Sequence, residues 1–599
     1  MIKDQNFNTP VELDEILLNV RKPARYIGQE YNAVYKKLSY KNINFALCFP
    51  DSYEIGMSHL GLKILYNILN KQEDVYAQRC FSPWPDMQLQ MQKQNIKLFS
   101  LETQTPLNYF DIIGFSLQYE LGFTNVLGML DLAGMALHSE QRKTGPLVIA
   151  GGPCCLNPEP MYKFIDAFFI GESEELILEF LNVYRQFKKK FLNFDKNNQD
   201  ELTALKIELL ERIARIEGIY VPRFYTQDFN HSLDLIPQKS YLPKKIKRRF
   251  VSDLNNAEYF EAPCVPYVDI VHDRISLEIM RGCPNRCYFC QAGFTINPLR
   301  MRSVENLISM ARKIYANTGY DNISFCSLSS ANYPQLKKLI LKVHDFFKEK
   351  GLGISLPSLR VDKEFLSVIS LISDLKKTGL TFAPEAGSGR LRKLINKNLD
   401  MEKLSETILT AYQTGWRRLK LYFMIGLPTE TETDLLGIVQ MINEYSELKK
   451  QVDGRPARVS VGISNFIPKA HTPFQWLGME RRDQLGVKQK FLRDRLLKRI
   501  LDVDFHDIDM SFIEACLARG DRSMAAVIEK AYFLGARFDA WTNFFNYNIW
   551  QEAFEKTGLK AEHYVNEGYA LDCVLPWDHI DCLIKKNELK QYYTNISTV

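Results

Sequence analysis

The sequence predicts an α/β protein: two successive parallel α/β units followed by a mainly helical C-terminal region. Three observations carry this reading. Apolar runs alternate with helical stretches twice, over residues 45–175 and again from about 270, the pattern of strands buried on both faces and joined by crossover helices. At 599 residues the chain is too long for a single hydrophobic core. Its 46% hydrophobic and 25% charged residues are ordinary for a globular protein. The expected divisions are an N-terminal extension (1–40), a first α/β unit (41–180), a connector (181–265), a second unit (266–480) and a helical region (481–599).

In the first unit "NINFALCFP" (42–50) is an apolar strand and "HLGLKILYNILN" the helix after it. "DIIGFSLQ" (111–118), "PLVIAGGP" (146–153) and "IDAFFIGESEE" (165–175) supply three more strands. Ligands of such sheets sit at the carboxyl ends of the strands. In the connector, Leu202, Leu205, Leu209, Ile213 and Ile216 recur at helical spacing, so that segment should dock on a neighbour. The second unit reads as six strand–helix repeats: "RISLEIM", "NISFCSL", "GISLPSL", "LTFAPEA", "RLKLYFMIG" and "RVSVGISNF". Six repeats suggest an open, partial β/α barrel more than a closed eight-stranded one.

A formal charge of +5 is mild and gives no argument for nucleic acid. No basic stretch followed by an apolar run opens the chain, and "LGFTNVLGMLDLAGMAL" is broken by Asn125 and Asp131. A cytoplasmic protein without a membrane span is expected. Twelve cysteines are scattered along the chain, and in a reducing compartment most serve as small buried hydrophobes.

Three cysteines are not scattered. "MRGCPNRCYFCQAG" (280–293) places Cys283, Cys287 and Cys290 within eight residues, just after the first strand of the second unit. A structural zinc site wants four ligands, commonly two pairs, and only Cys264 and His272 stand upstream to complete one. The other reading is an iron–sulfur cluster. Thiolates are its natural ligands, and three of them can hold three irons of a 4Fe-4S cluster, leaving the fourth open to a small molecule.

C-x-x-x-C-x-x-C with Phe289 before the last cysteine resembles the radical S-adenosylmethionine signature, and the resemblance runs on in order through the second unit. "SLSSANYP" (327–334) stands where that family meets the methionine amino group, which implies Ser329 and Ser330; the acidic residue often found there is missing. "APEAGSGRLRKLINK" (383–397) resembles the ribose-contacting segment and implies Glu385, Gly387 and Ser388. "FMIGLPTETETD" (423–434) matches the fifth-strand turn at Gly426, and "NFIPKAHTPFQW" (465–476) a sixth-strand ending. Phe289 is implied as a wall beside the adenine. The family's cofactors are a 4Fe-4S cluster and S-adenosyl-L-methionine. Its chemistry begins with a 5′-deoxyadenosyl radical, and an electron donor such as flavodoxin or ferredoxin is implied as partner.

The first unit resembles the Rossmann-like domain of the cobalamin-binding subgroup. The loop D-x-H-x-x-G of such domains is here "DSYEIG" (51–56), keeping Asp51 and Gly56 but with Tyr53 in place of the histidine. Ser116, Gly151 and Gly152 match the downstream serine and double-glycine elements. A tyrosine with a pKa near 10 is a poor cobalt ligand at neutral pH. Two readings therefore stand: cobalamin without a histidine below it, or a domain that recognises substrate without cobalamin. His59 sits nearby at a helix start, where capping or packing is as good a role. His506, Glu514, Arg519, Asp521 and His579 are polar residues of the C-terminal part with two readings, facing the cavity or serving as helix caps and surface ion pairs. A third reading, a non-catalytic metal-stabilised RNA-binding protein, rests on the basic runs "FKKKF" (187–191) and "KKIKRRF" (244–250). The substrate and the reaction type, methylation included, are not readable from the residues.

Overall fold

The structure, a computed structural model, describes residues 12–193, 198–227, 233–355, 380–496 and 501–596. The first unit is a six-stranded sheet in the order β2-β1-β3-β4-β5-β6, with β1 Ile43–Phe49, β2 Val75–Phe81, β3 Ile112–Ser116, β4 Leu147–Gly151, β5 Ala167–Phe169 and β6 Ile219–Tyr220. All pairings are parallel except β5 with β6. β1 is buried along its whole length, as a parallel strand covered on both faces must be.

β2 is absent from the sequence reading, because "VYAQRCF" carries a glutamine and an arginine in mid-strand. Both are buried, and the glutamine oxygen and the arginine charge are met from within the protein. Gln78 accepts hydrogen bonds from Ser100 (2.6 Å) and Thr103 (2.8 Å). Arg79 pairs with Glu30 (2.8 Å) and Glu102 (2.7 Å). The connector's amphipathic segment forms the helix Gln199–Ile213, which buries Leu205, Leu209 and Ile213 and packs on the helix Leu176–Asn193.

In the second unit Ile275–Glu278, Asn322–Cys326 and Gly353–Ser355 pair in parallel. Leu380–Glu385, Arg418–Ile425 and Arg458–Asn465 do the same. The rest of the third predicted strand lies outside the described residues. A further parallel strand, Leu501–Phe505, pairs with Arg458–Asn465 and carries the series beyond residue 480. The region from 481 is therefore not helical throughout. Asp502 and Asp504 on its exposed face hid this strand from an apolar-run reading. Buried side chains of both units merge into one contiguous apolar cluster.

Candidate functional site

The cysteine loop leaves the strand Ile275–Glu278 through a short antiparallel pairing of Met280–Arg281 with Arg300–Met301. Gly282 then turns with φ +93°, and a Cβ there would stand 2.7 Å from the carbonyl oxygen of Ile296. Only glycine fits. The loop is held from outside by its neighbours. Asn396 Nδ2 donates to the carbonyls of Asn285 (3.2 Å) and Arg286 (3.0 Å), and the Tyr288 amide donates to Ile395 (3.0 Å). Arg286, itself at φ +47°, pairs with Glu588 of the C-terminal helix at 2.8 Å.

The three thiols are partly exposed. Cys290 Sγ accepts from the Gly293 amide and Cys283 Sγ from Asn285 Nδ2, each at 3.4 Å. Such donors stabilise sulfur that carries negative charge. Burial pushes the Cys287 thiol up to about 11, so metal coordination must displace its proton. Among the described residues no three His, Cys, Asp or Glu side chains could hold one metal ion together. Cys264 and His272 do not join the trio. Cys264 contacts the Asn32 carbonyl, and the His272 amide donates to Ser58. The arrangement suits a larger cluster that takes one thiolate at each of three corners.

Behind the loop stands a polar network. Asn285 Nδ2 also reaches Ser329 (3.3 Å) and Asn332 (3.1 Å), and Ser329 donates to Asn332 at 2.7 Å. Ser327 and Ser330 pair at 2.9 Å. The second-strand segment is thus brought to the cysteine loop. So is Glu385, which adopts φ +69° and meets Lys397 at 3.2 Å. Burial raises its pKa despite that lysine. Phe289 packs on the apolar cluster containing Ala386, Ile395, Met424 and Phe474. Ser388 and Gly387 also have parts in the local structure. Ser388 caps the helix Gly389–Leu394 and donates to Asp434. A Cβ on Gly387 would stand 2.2 Å from the Asp434 carbonyl oxygen, so this glycine permits a close helix approach. Gly426, at φ +79°, makes the fifth-strand turn, its amide donating to Glu430 (2.8 Å).

Between the two units lies a cavity of about 530 Å³, within the size range of ligand sites. Ser116, Gln118, Gly151 and Gly152 line it from the carboxyl ends of β3 and β4, and Gly282, Gln291, Cys326 and Ser327 from the second unit. Phe45, Leu47 and Ile149 of the sheet and Leu65 of the helix Leu60–Asn70 give it an apolar lining. Gly152 adopts φ +114°, and a Cβ there would press to 2.4 Å from the Leu117 carbonyl oxygen.

Asp51, Tyr53 and Gly56 do not line this cavity. Asp51 accepts from Trp541 Nε1 (2.9 Å) and the Ser52 amide. Tyr53 donates to Glu30 (3.0 Å) and stands edge-on to Phe81. Gly56 packs against Phe81, whose ring a Cβ would meet at 2.2 Å. His59 does line it. Its Nδ1 caps the helix Leu60–Asn70 by accepting from the Leu62 amide at 3.1 Å, and burial lowers its pKa to about 4. The imidazole is therefore neutral at physiological pH. Gln118, beside it on the wall, donates to Ser116 at 2.8 Å.

One wall of the cavity is ionic. Glu172 accepts from Arg248 (2.9 Å), Arg281 (2.9 Å), Arg300 (2.7 Å) and the Val251 amide (2.9 Å). Arg281, two residues before Cys283, also pairs with Glu174 (2.6 Å) and Glu278 (2.8 Å). The first unit's "GESEE" loop thus grips the root of the cysteine loop. The sequence showed these acids only as a helix opening.

Part of each basic run is taken up inside the protein, while Lys189, Lys244 and Lys245 stay exposed. Arg248 is buried on Glu172, Arg249 pairs with Glu179 (2.6 Å), and Lys188 is buried on Asp111 (2.7 Å). The C-terminal polar residues mostly join units to one another. Glu514 takes Lys469 (2.8 Å) and Tyr119 (2.6 Å), and His579 faces Glu159 at 3.2 Å. Arg519 donates to the backbone carbonyls of Tyr564 and Glu567, while Asp521 accepts from the Ser523 amide. His506 borders a separate open groove.

Two family models match the chain: "Radical SAM proteins, N-terminal" over residues 61–222 and "Radical SAM superfamily" over 277–442. An uncharacterised protein of Methanocaldococcus jannaschii is 27% identical over 491 residues, covering 81% of this chain and 90% of that protein. A threonylcarbamoyladenosine tRNA methylthiotransferase of Bacillus subtilis is 26% identical over 235 residues, 37% of this chain and 51% of its own length. Among solved structures, the cobalamin-dependent S-adenosylmethionine radical enzyme OxsB, with aqua-cobalamin and S-adenosylmethionine bound, aligns with a TM-score of 0.47 at 15% identity. The alignment covers 98% of this chain and 84% of OxsB. With the family models matching in both units and the cysteine trio at the mouth of the second, the chain belongs to the radical S-adenosylmethionine superfamily of enzymes.

Proposed function

We propose that Cys283, Cys287 and Cys290 hold a 4Fe-4S cluster whose free iron takes S-adenosyl-L-methionine, and that the cavity between the units takes cobalamin. The reaction then modifies an unactivated carbon of the substrate, methylation being the reading favoured. The observation that carries the cobalamin assignment is the cavity itself. It brings Ser116, Gly151 and Gly152, at the carboxyl ends of β3 and β4, to the same space as Gly282 and Gln291 of the cysteine loop and an apolar lining of Phe45, Leu47, Leu65 and Ile149. Bound there, these groups would supply a 5′-deoxyadenosyl radical and a transferable methyl group.

The chain's own residues would position and shield. Asn285, Ser329 and Asn332 offer hydroxyl and amide groups for the methionine end, Phe289 an apolar wall, and Glu385 a carboxylate beside the loop. Glu172 fixes Arg281 and hence the loop's distance from the strand ends. His59 presents a neutral ring to the cavity, with Nδ1 already committed to the helix cap. An acidic reductant such as flavodoxin or ferredoxin supplies the electron, and the expected setting is the cytoplasm. Among the described residues no helix is long and apolar enough to cross a membrane.

A second reading, a domain that recognises substrate without cobalamin, draws on the placement of Asp51, Tyr53 and Gly56 away from the cavity. One experiment separates the two. At Gly151 a Cβ has ordinary room, its nearest contacts standing at 3.8 Å. Gly151→Leu should therefore fold while its side chain enters the cavity. After incubation with hydroxocobalamin and desalting, the wild type should retain stoichiometric corrinoid and the variant at least about tenfold less, a loss of ~1.4 kcal/mol or more in binding. Absence of corrinoid from the wild type, or equal retention by both proteins, would exclude the cobalamin reading.

A further inference from the structure

On the opposite side of the helix Leu60–Asn70 from the large cavity is a second one, of about 150 Å³. It is closed by residues 32–34 of the N-terminal arm and 260–264 of the connector. Its charged lining is one-sided. Lys63, Lys71 and Arg79 face it, and no carboxylate does. Two of these cations are already balanced: Arg79 by Glu30 and Glu102, and Lys71 by Glu258. Lys63 is not. Among the described residues its ammonium group has neither a hydrogen bond nor an ion pair, and the half-buried side chain lines the cavity. Its nearest titratable neighbours are Cys264, Asp273 and Cys326, and burial outweighs them, lowering its pKa to about 8.

A cation facing a cavity that holds no counter-charge is stabilised by an anion entering from outside. The remaining donors converge on the same space. The Tyr66 hydroxyl accepts from the Val34 amide at 2.9 Å, which leaves its proton free to donate. Lys63 and Tyr66 lie one turn apart on the helix, on one face.

We propose that this cavity is an anion site, with Lys63 as its cation and Tyr66 as a hydrogen-bond donor, for a phosphate or a short carboxylate. A nucleotide is too large for the volume. The site is separate from the cluster chemistry, but Leu62 lines both cavities, so an anion on Lys63 would brace the helix that walls the larger one.

The test uses the full-length protein and two probes, inorganic phosphate and acetate, each compared with chloride at matched ionic strength and neutral pH. At least one should raise the Tm saturably. Lys63→Met, which removes the charge and keeps the chain length, should fold and lose that response, with affinity down by about tenfold or more. Lys63→Arg should keep it. The probe that binds identifies the anion as phosphate-like or carboxylate-like. If neither probe shifts the wild type, or Lys63→Met responds as the wild type does, the proposal is wrong.

Discussion

Replacing Glu172 by glutamine keeps the shape of the side chain and removes its charge from the midst of Arg248, Arg281 and Arg300. Those guanidinium groups, with the Val251 amide, hold the carboxyl near pKa 2 against an ordinary 4.5, even though burial alone would raise it. At ~1.36 kcal/mol for each pKa unit, that difference corresponds to roughly 3 kcal/mol of stability at neutral pH. The cost of removing one member of a buried ionic network, about 3–5 kcal/mol, agrees. For a unit of this size each kcal/mol moves Tm by about 2–4 °C, so Glu172→Gln should lower the transition by about 6–12 °C. Because the folded pKa is the depressed one, the contribution is complete above pH 4.5 and fades as pH falls toward 2. The gap between the two proteins, followed by calorimetry, should therefore be widest near neutrality and narrow on acidification. A variant within about 2 °C of the wild type at neutral pH, or a gap indifferent to pH, would refute the clamp.

Two further outcomes follow from local geometry. Asn396→Ala frees the carbonyls of Asn285 and Arg286, removing about 1–2 kcal/mol from the cysteine loop; a chelator should then strip iron several times faster. His59→Asn keeps a cap acceptor but cannot titrate. The depressed His59 pKa stabilises the fold above pH 6.5 and loses that contribution as pH falls toward 4. Across that window the wild type should lose roughly 3 kcal/mol more than the variant in denaturant titrations, the equivalent of its pKa difference.

Both parallel units and the cysteine trio were legible because each is written in contiguous residues: apolar runs of strand length and a tight C-x-x-x-C-x-x-C. What escaped was written across the chain. β2 reads as polar until Glu30 and Glu102, 49 and 23 residues away, are seen to neutralise Arg79. The strand Leu501–Phe505 is half exposed at its sheet edge, so its aspartates mask it. Glu172 was only an acid near a helix start, and its three arginines come from 76 to 128 residues downstream. Likeness points to "DSYEIG" for a cofactor loop, while the cavity between the units is lined by His59 just beyond it. The burial of Tyr53 against Glu30 depends on an N-terminal arm that local pattern does not place.

The central claim is radical chemistry at the cysteine trio. Anaerobically reconstituted protein, given dithionite and S-adenosyl-L-methionine, should form 5′-deoxyadenosine. Cys287→Ala should lose the cluster's iron and visible absorbance and form none above background. Equal 5′-deoxyadenosine from both proteins, or none from a wild type carrying its full iron, would contradict the account.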